Sequence, residues 1–337
     1  MTKEQQDIFF VVNPVSGTSG KKVILRQLEK VLDQERFSYT IAPTQYAGHA
    51  EVIAREAVER GVDIVCAIGG DGTVNEVARA LVHTDTALAI IPCGSGNGLA
   101  RHLHVPMDVT RAVKLINRGE KQVIDYGLIN EHPFFCTCGV GLDAFISQKF
   151  AEAGKRGLTT YVENALKTVL KYTPQAYELE VVNADSEHHS YQAVLIACAN
   201  ASQWGNNAYI APHASVRDGL LDVIVVEPFS MLEAAGMAIQ LMHGSLDKNS
   251  KIKTLRCKKL YIKRGEPGPI HFDGDPMMAC ADLEVSVVPQ ALRCICGEGE
   301  GVESMGTNFL NVLREYTNNL SMHSADLWQN NMFRKKK

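Results

Sequence analysis

Asp71 lies in the run Ile68-Gly69-Gly70-Asp71-Gly72-Thr73-Val74-Asn75-Glu76, a carboxylate among three glycines. Glycines without a Cβ let the backbone approach a ligand closely. A helix that opens immediately afterwards offers unpaired N–H groups and the positive end of its dipole to an anion. Phosphate is the ligand such a turn suits. A carboxylate repels phosphate unless a cation or a reacting proton sits between them, so Asp71 points to nucleotide chemistry with magnesium.

Two more loops share the character. Asn13-Pro14-Val15-Ser16-Gly17 follows an apolar run, and Pro92-Cys93-Gly94-Ser95-Gly96-Asn97-Gly98 follows another. One glycine loop is weak evidence, because turns use glycine everywhere. Three at the ends of three strands of one sheet point to a shared phosphate site. The spacing excludes two familiar solutions. There is no G-x-x-x-x-G-K-[ST], and Asn75 and Leu99 stand where a dinucleotide fingerprint needs its third glycine.

These loops need strands and helices to aim them, and the first 125 residues alternate the two signals. Residues 8–12, 37–41, 64–68 and 87–92 read as strands, and 21–34, 48–60, 73–83, 98–103 and 109–118 as helices. Val74, Val77, Ala78, Leu81 and Val82, for example, recur at the spacing of one helix face. That succession predicts a parallel sheet covered on both sides, with ligands at the carboxyl ends of its strands. Beyond Lys121 the pattern turns to strands, at 123–129, 177–182, 193–199, 220–226, 259–263 and 283–288, interrupted by helical stretches at 161–172 and 231–244. The expected division is an α/β nucleotide domain over 1–125, a β-rich domain over 126–296 and a tail over 297–337. Phe309, Leu313, Tyr316 and Leu320 give that tail one face of a short helix. The cleft between the two domains is the expected active site.

Composition narrows the partners. A net charge of −4 argues against nucleic acid. The polar start lacks the apolar core of a signal peptide, and no run reaches the ~18 apolar residues of a membrane span. Nine cysteines scattered through apolar segments read as reduced core residues of a cytoplasmic protein. The C-x-C pairs Cys136/Cys138 and Cys294/Cys296 read as strand packing, not metal ligands. A homodimer is left open.

Taken together, Gly69-Gly70-Asp71-Gly72-Thr73, the Asn-Pro-x-Ser-Gly opening and the Gly-Ser-Gly-Asn loop resemble the catalytic domain of diacylglycerol and sphingosine kinases. The resemblance continues through Arg217-Asp218-Gly219-Leu220-Leu221-Asp222 and His271-Phe272-Asp273-Gly274-Asp275-Pro276, covering roughly residues 7–290. It implies an α/β domain similar to those of phosphofructokinase and NAD kinase, followed by a β-sandwich domain. It places ATP on Asn13, Pro14, Val15, Ser16, Gly17, Thr44, Gly69, Gly70, Asp71, Gly72, Thr73, Val74, Asn75, Ser95, Gly96 and Asn97. It places Mg2+ on Ser215, Asp218 and Leu220, the serine and leucine through main-chain carbonyls. The catalytic carboxylates it implies are Asp275, Asp71 and Asp273, with Asp275 and Asp71 rival proton acceptors. Asp275 departs from the family's Asp-Gly-Glu by one methylene. Gly98 departs from the Gly-Thr-x-Asn-Asp of many glycerolipid kinases and looks more like sphingoid-base kinases.

The implied reaction is transfer of the ATP γ-phosphoryl group to a primary hydroxyl of a lipid. A sphingoid base stands slightly ahead of diacylglycerol, and the lipid is taken from a bilayer by peripheral contact. The rival readings are an NAD or sugar kinase and a catalytically silent nucleotide-binding protein. Asp185-Ser186-Glu187-His188-His189 reads as a solvated hairpin tip, His102 and His104 as helix-surface residues, and Trp204 as either cleft or core.

Overall fold

The computed structural model describes residues 5–16, 21–153 and 172–298. The expected Tyr172-ending helix, the tail helix and Gly17 fall largely or wholly outside those residues. The first half follows the expected alternation: β1 (Gln6–Val12), α1 (Lys21–Val31), β2 (Phe37–Pro43), α2 (His49–Glu59), β3 (Ile64–Gly69), α3 (Asp71–Leu81), β4 (Ala87–Pro92), α4 (Gly98–His102) and α5 (Val109–Arg118). Strands β1 to β4 pair in parallel in the order β2-β1-β3-β4, with Ile8 beside Ile64 and Ile64 beside Ala87. Strands β3 and β4 are buried at every position, as expected for central strands covered on both faces.

The second half is strand-rich: β5 (Lys121–Ile129), β6 (His132–Phe134), β7 (Thr137–Gly141), α6 (Leu142–Ala153), β8 (Gln175–Val182), β9 (Ser186–Ala193), β10 (Leu195–Ala199), β11 (Leu221–Val226), α7 (Met231–His243), β12 (Ile252–Cys257), β13 (Lys259–Arg264), β14 (Gly268–Phe272), β15 (Asp275–Ala279) and β16 (Asp282–Ile295). Six of these strands form an antiparallel sheet, β12-β11-β10-β7-β14-β15. It packs against β13, β8 and neighbouring strands through an apolar layer that includes Val140, Ile196, Val223, Leu260 and Val285. An α/β layer and a β-sandwich are thus both present.

Strand β16 runs well past the expected 283–288. It pairs antiparallel with β13 and β5, and Cys294 then lies beside Leu88 of β4, so one ten-stranded sheet runs through both halves. Pro289 reads in sequence as a strand end. The chain instead absorbs it in an irregularity between Val288 and Leu292, with Gln290 at φ +50°, and resumes pairing. Helix α6, not among the expected elements, starts straight from β7 after Gly141, whose φ is +100°. The 186–189 segment lies in edge strand β9 instead of a hairpin tip.

Candidate active site

Strands β1, β3 and β4 deliver the three loops to one end of the sheet, and the loops bond to one another. Asn13 at the end of β1 donates through its main-chain N–H to the Ile68 carbonyl (3.0 Å) and through its side-chain amide to Thr73 Oγ1 (3.0 Å). Thr44, after β2, donates its N–H to Val12 (2.8 Å). The loops after β3 and β4 meet glycine on glycine: a Cβ on Gly94 would lie 2.7 Å from the Gly70 Cα. Only Cβ-less residues allow that approach. Asn97 holds its own loop by accepting from the Gly94 N–H (2.9 Å) and donating to the Gly94 carbonyl (2.7 Å).

Asp71 ties these two loops together. Its Oδ2 accepts the Asn97 N–H at 2.9 Å and its Oδ1 the Gly98 N–H at 2.6 Å. A Cβ on Gly96 would fall 2.8 Å from the same carboxylate. Gly98 is buried, with Gln203 and Gly205 so close that a Cβ would lie 3.3 Å from the Gly205 N and 3.4 Å from the Gln203 carbonyl. Ser95 projects outward at the tip of the loop.

The second half reaches this centre through the β14–β15 turn. Asp273 is half-buried and accepts four hydrogen bonds: from the N–H groups of Phe135 (2.7 Å), Cys136 (2.8 Å) and Thr137 (3.0 Å), and from the Asn75 amide (2.5 Å). Burial pushes its carboxyl above the usual range, and those four bonds oppose the rise. The turn itself is left-handed, with Asp273 at φ +51° and Gly274 at φ +88°. Asp275 follows at the start of β15. Burial raises its pKa, Arg79 on α3 counters that, Glu76 adds to it and His271 counters it more weakly. Glu76 also orders α2, accepting the N–H groups of Gly48 (2.9 Å) and Ala50 (3.0 Å). Asp71, Asn75, Asp273 and Asp275 therefore belong to one connected structure.

Ser215, Asp218 and Leu220 lie in a separate loop, anchored on buried Asp125, whose Oδ2 accepts the Gly219 N–H (2.8 Å) and Oδ1 the Gln290 N–H (2.7 Å). Asp218 accepts from the Leu220 N–H (3.1 Å) and pairs with Arg256, which also reaches Asp222 Oδ1 at 3.5 Å. The other Asp222 oxygen is buried without a partner. Among the described residues no three His, Cys, Asp or Glu side chains gather as a metal cluster. One accessible carboxylate, main-chain carbonyls and an orphaned carboxylate oxygen nearby make a hard-oxygen set, which fits magnesium completed by water.

Several polar residues escaped the sequence reading. His102 is half-buried, and its Nδ1 accepts the Ser202 N–H at 3.1 Å, so it joins α4 to the 200s loop instead of standing free on the helix surface. Burial lowers its pKa to about 4, with repulsion from His104 and Arg217 adding to the fall. Trp204 is half-buried and packs against the core beneath α7. His271 and Asp143, far apart in sequence, form a buried pair at 2.9 Å. Nothing in local spacing brings those two together.

Residues 7–129 match the family model for the diacylglycerol kinase catalytic domain, and residues 136–296 match the YegS C-terminal NAD kinase beta sandwich-like domain. A protein of Pectobacterium atrosepticum named "Probable lipid kinase YegS-like" is 29% identical over 289 residues, spanning 83% of this chain and 93% of its own length. The diacylglycerol kinase of Bacillus subtilis is 26% identical over 270 residues, spanning 79% of this chain and 88% of its own. A solved structure of a diacylglycerol kinase from Bacillus anthracis shares the fold, with a TM-score of 0.65 at 20% identity over 87% of this chain and 97% of that one.

Proposed function

The chain belongs to the diacylglycerol kinase catalytic-domain family of lipid kinases, and from that membership we propose that it transfers the γ-phosphoryl group of ATP to a primary hydroxyl of a membrane lipid. The observation that carries the reading is the joining of three phosphate-type loops to the Asp273–Asp275 turn through Asp71 and Asn75. We assign ATP to residues 1–125 and the lipid to residues 126–296.

Phosphoryl transfer through a loose transition state asks mainly for positioning and charge neutralisation. Residues Gly69–Asn75 and the Ser95–Asn97 loop enclose the polyphosphate, with the N-terminal end of α3 turned toward it and the Asn97 N–H holding Asp71, and Asn13, Pro14, Val15, Ser16 and Thr44 border the nucleotide. Magnesium, when bound, neutralises phosphate charge; Ser215, Asp218 and Leu220 would hold an ion that orders the second domain. The acceptor oxygen bonds to the γ-phosphorus as the bond to ADP breaks, and the hydroxyl proton passes to Asp275. Two observations favour Asp275 over Asp71 for that proton. Its pKa is raised toward neutrality, where a general base works best. Both Asp71 oxygens, by contrast, are engaged in holding the loops. Asp273 acts by fixing the turn on which Asp275 sits.

For the acceptor we place a sphingoid base slightly ahead of diacylglycerol. Gly98 adds no second carboxylate beside Asp71, and an ammonium group on a sphingoid base alters the charge needed there. The diacylglycerol reading is supported by the name of the Bacillus subtilis relative. No helix among the described residues is long and apolar enough to cross a membrane. The lipid is reached by peripheral contact, a reading supported by α7, where Leu232 (90% exposed) and Ile239 (60%) face outward near Lys248 and Lys251.

Turnover of labelled ATP against a panel of lipids in mixed micelles, with NAD as soluble control, tests the proposal. Phosphorylation of NAD alone would refute it. The ratio of the two lipids' kcat/KM values chooses the acceptor.

A further inference from the structure

Helix α3 grips the β14–β15 hairpin at two points one helical turn apart. Asn75 bonds Asp273, and Arg79, four residues on, lays its guanidinium 5.4 Å from the centroid of the Phe272 ring. Phe272 is the residue directly opposite Asp275 in the hairpin register. Its ring is held in turn by His132, stacked at 5.1 Å with planes 8° apart. The guanidinium is therefore fixed against the hairpin that carries Asp275. Its Nε and Nη2 are buried and have no hydrogen-bond partner. A half-buried guanidinium with two unbonded nitrogens acts through space on the carboxylate of that hairpin, Asp275.

We propose that Arg79 is a positioning residue of the reaction, which seats the hairpin on α3 and keeps Asp275 ionised and ready to accept the proton of the lipid hydroxyl. The inference rests on the reading that Asp275 is that acceptor. The other charges around Asp275 leave this task to Arg79. From the same helix, Glu76 opposes ionisation, and its oxygens are engaged with the N–H groups of Gly48 and Ala50. From β14, His271 acts on Asp275 only weakly and is paired with Asp143 of α6 at 2.9 Å. Farther along α6, which packs on β15, Lys149 is paired with Glu152 at 2.8 Å. Asp273, at the turn, is saturated by its four donors. Among the described residues, Arg79 is thus the cation acting on Asp275 that has no carboxylate bonded to it. The burial of Asp275 raises its pKa, and Arg79 is the largest influence in the opposite direction.

The test uses the full chain with Arg79→Met, which keeps an apolar stem over Phe272, and Arg79→Lys, which keeps the charge. Arg79→Gln replaces the methionine variant if that one fails to fold. The Asp275 carboxyl is followed by carbon NMR in aspartate-labelled protein without nucleotide, its signal identified by its loss in Asp275→Asn. An opposite charge facing a carboxyl at close range shifts it by about one pH unit or more. The expected result is a titration midpoint about one unit higher in Arg79→Met and near wild type in Arg79→Lys. The acid limb of the kcat/KM profile, measured with the lipid that the panel identifies, should move by the same amount, and activity should recover at alkaline pH. An unmoved midpoint overturns the proposal while leaving the proton-acceptor reading intact. A midpoint that moves without the acid limb overturns both, since Asp275 would not be the base. A raised KM for ATP with an unmoved limb would make Arg79 a phosphate ligand and also overturn it.

Discussion

Replacing Asp273 should unfold the chain more readily than replacing any other acidic residue of the site. The side chain is half-buried, and it accepts three N–H groups of the buried Phe135, Cys136 and Thr137 and the amide of buried Asn75 at 2.5 to 3.0 Å. Asp273→Ala leaves all four donors in the interior without an acceptor. Each unsatisfied buried donor costs about 1–3 kcal/mol, and the low end applies where water can enter the space left behind, giving about 4 kcal/mol. Asp273→Asn keeps the shape but turns one oxygen into an NH2, which must face either Phe135 and Asn75 or Cys136 and Thr137. Two donors then lose their acceptor, for about 2 kcal/mol. With a urea slope of about 3 kcal/mol/M, the midpoints should fall by roughly 1.3 M for alanine and 0.7 M for asparagine. Urea titration followed by far-ultraviolet circular dichroism measures both. An asparagine variant that unfolds at the wild-type midpoint with the same slope would refute this account of the turn.

Asp275→Asn should leave the urea midpoint near wild type and lower kcat by about 10²–10⁴-fold, the usual worth of a general base; steady-state rates with the best lipid decide it. Gly96→Val should raise the KM for ATP and lower kcat together, because its Cβ would fall 2.8 Å from Asp71 Oδ2 and drive the carboxylate off the Asn97 and Gly98 N–H groups; an unchanged KM in a folded variant would count against converging loops. His102 has a folded pKa of about 4, below the ~6.5 of a free imidazole. Stability should be complete above pH 6.5 and should fall as the pH drops toward 4, by up to about 3 kcal/mol, since the unfolded chain binds the proton first. His102→Asn, whose side-chain oxygen can still accept from Ser202, should flatten that stretch of the stability curve, as read by thermal melts across pH.

What the sequence made legible follows from the range of the forces involved. Strands β1, β3 and β4 and the helices after them stood out because local periodicity and glycine turns determine them, and Asp71 was conspicuous as the charge among glycines. The partners of Asp71 were not visible, since the Asn97 and Gly98 N–H groups lie in another loop. Gly96 looked like space for a phosphate, whereas its immediate neighbour is the Asp71 carboxylate. Asp273 and Asp275 are separated by a single glycine in the same motif, yet one is half-buried and saturated and the other is exposed. That difference comes from Asn75 and the Phe135–Thr137 main chain, at sequence separations of 198 and 136 to 138 residues. The pairs His102–Ser202 and His271–Asp143 escaped for the same reason: each is made by tertiary packing, and neither leaves a local pattern.

Strand β16 has a consequence for how the chain is made. A ribosome releases β1 to β4 with their helices early, but the open edge of β4 waits for a partner that begins at Asp282 and reaches Leu88 only at Cys294. Until then the nascent α/β half carries an unpaired, wholly apolar edge, which is the kind of surface that recruits other chains. The newborn protein is therefore most vulnerable to aggregation from the release of β4 until Cys294 has been made, more than half of its synthesis, and closing that edge is left to the last of the described strands.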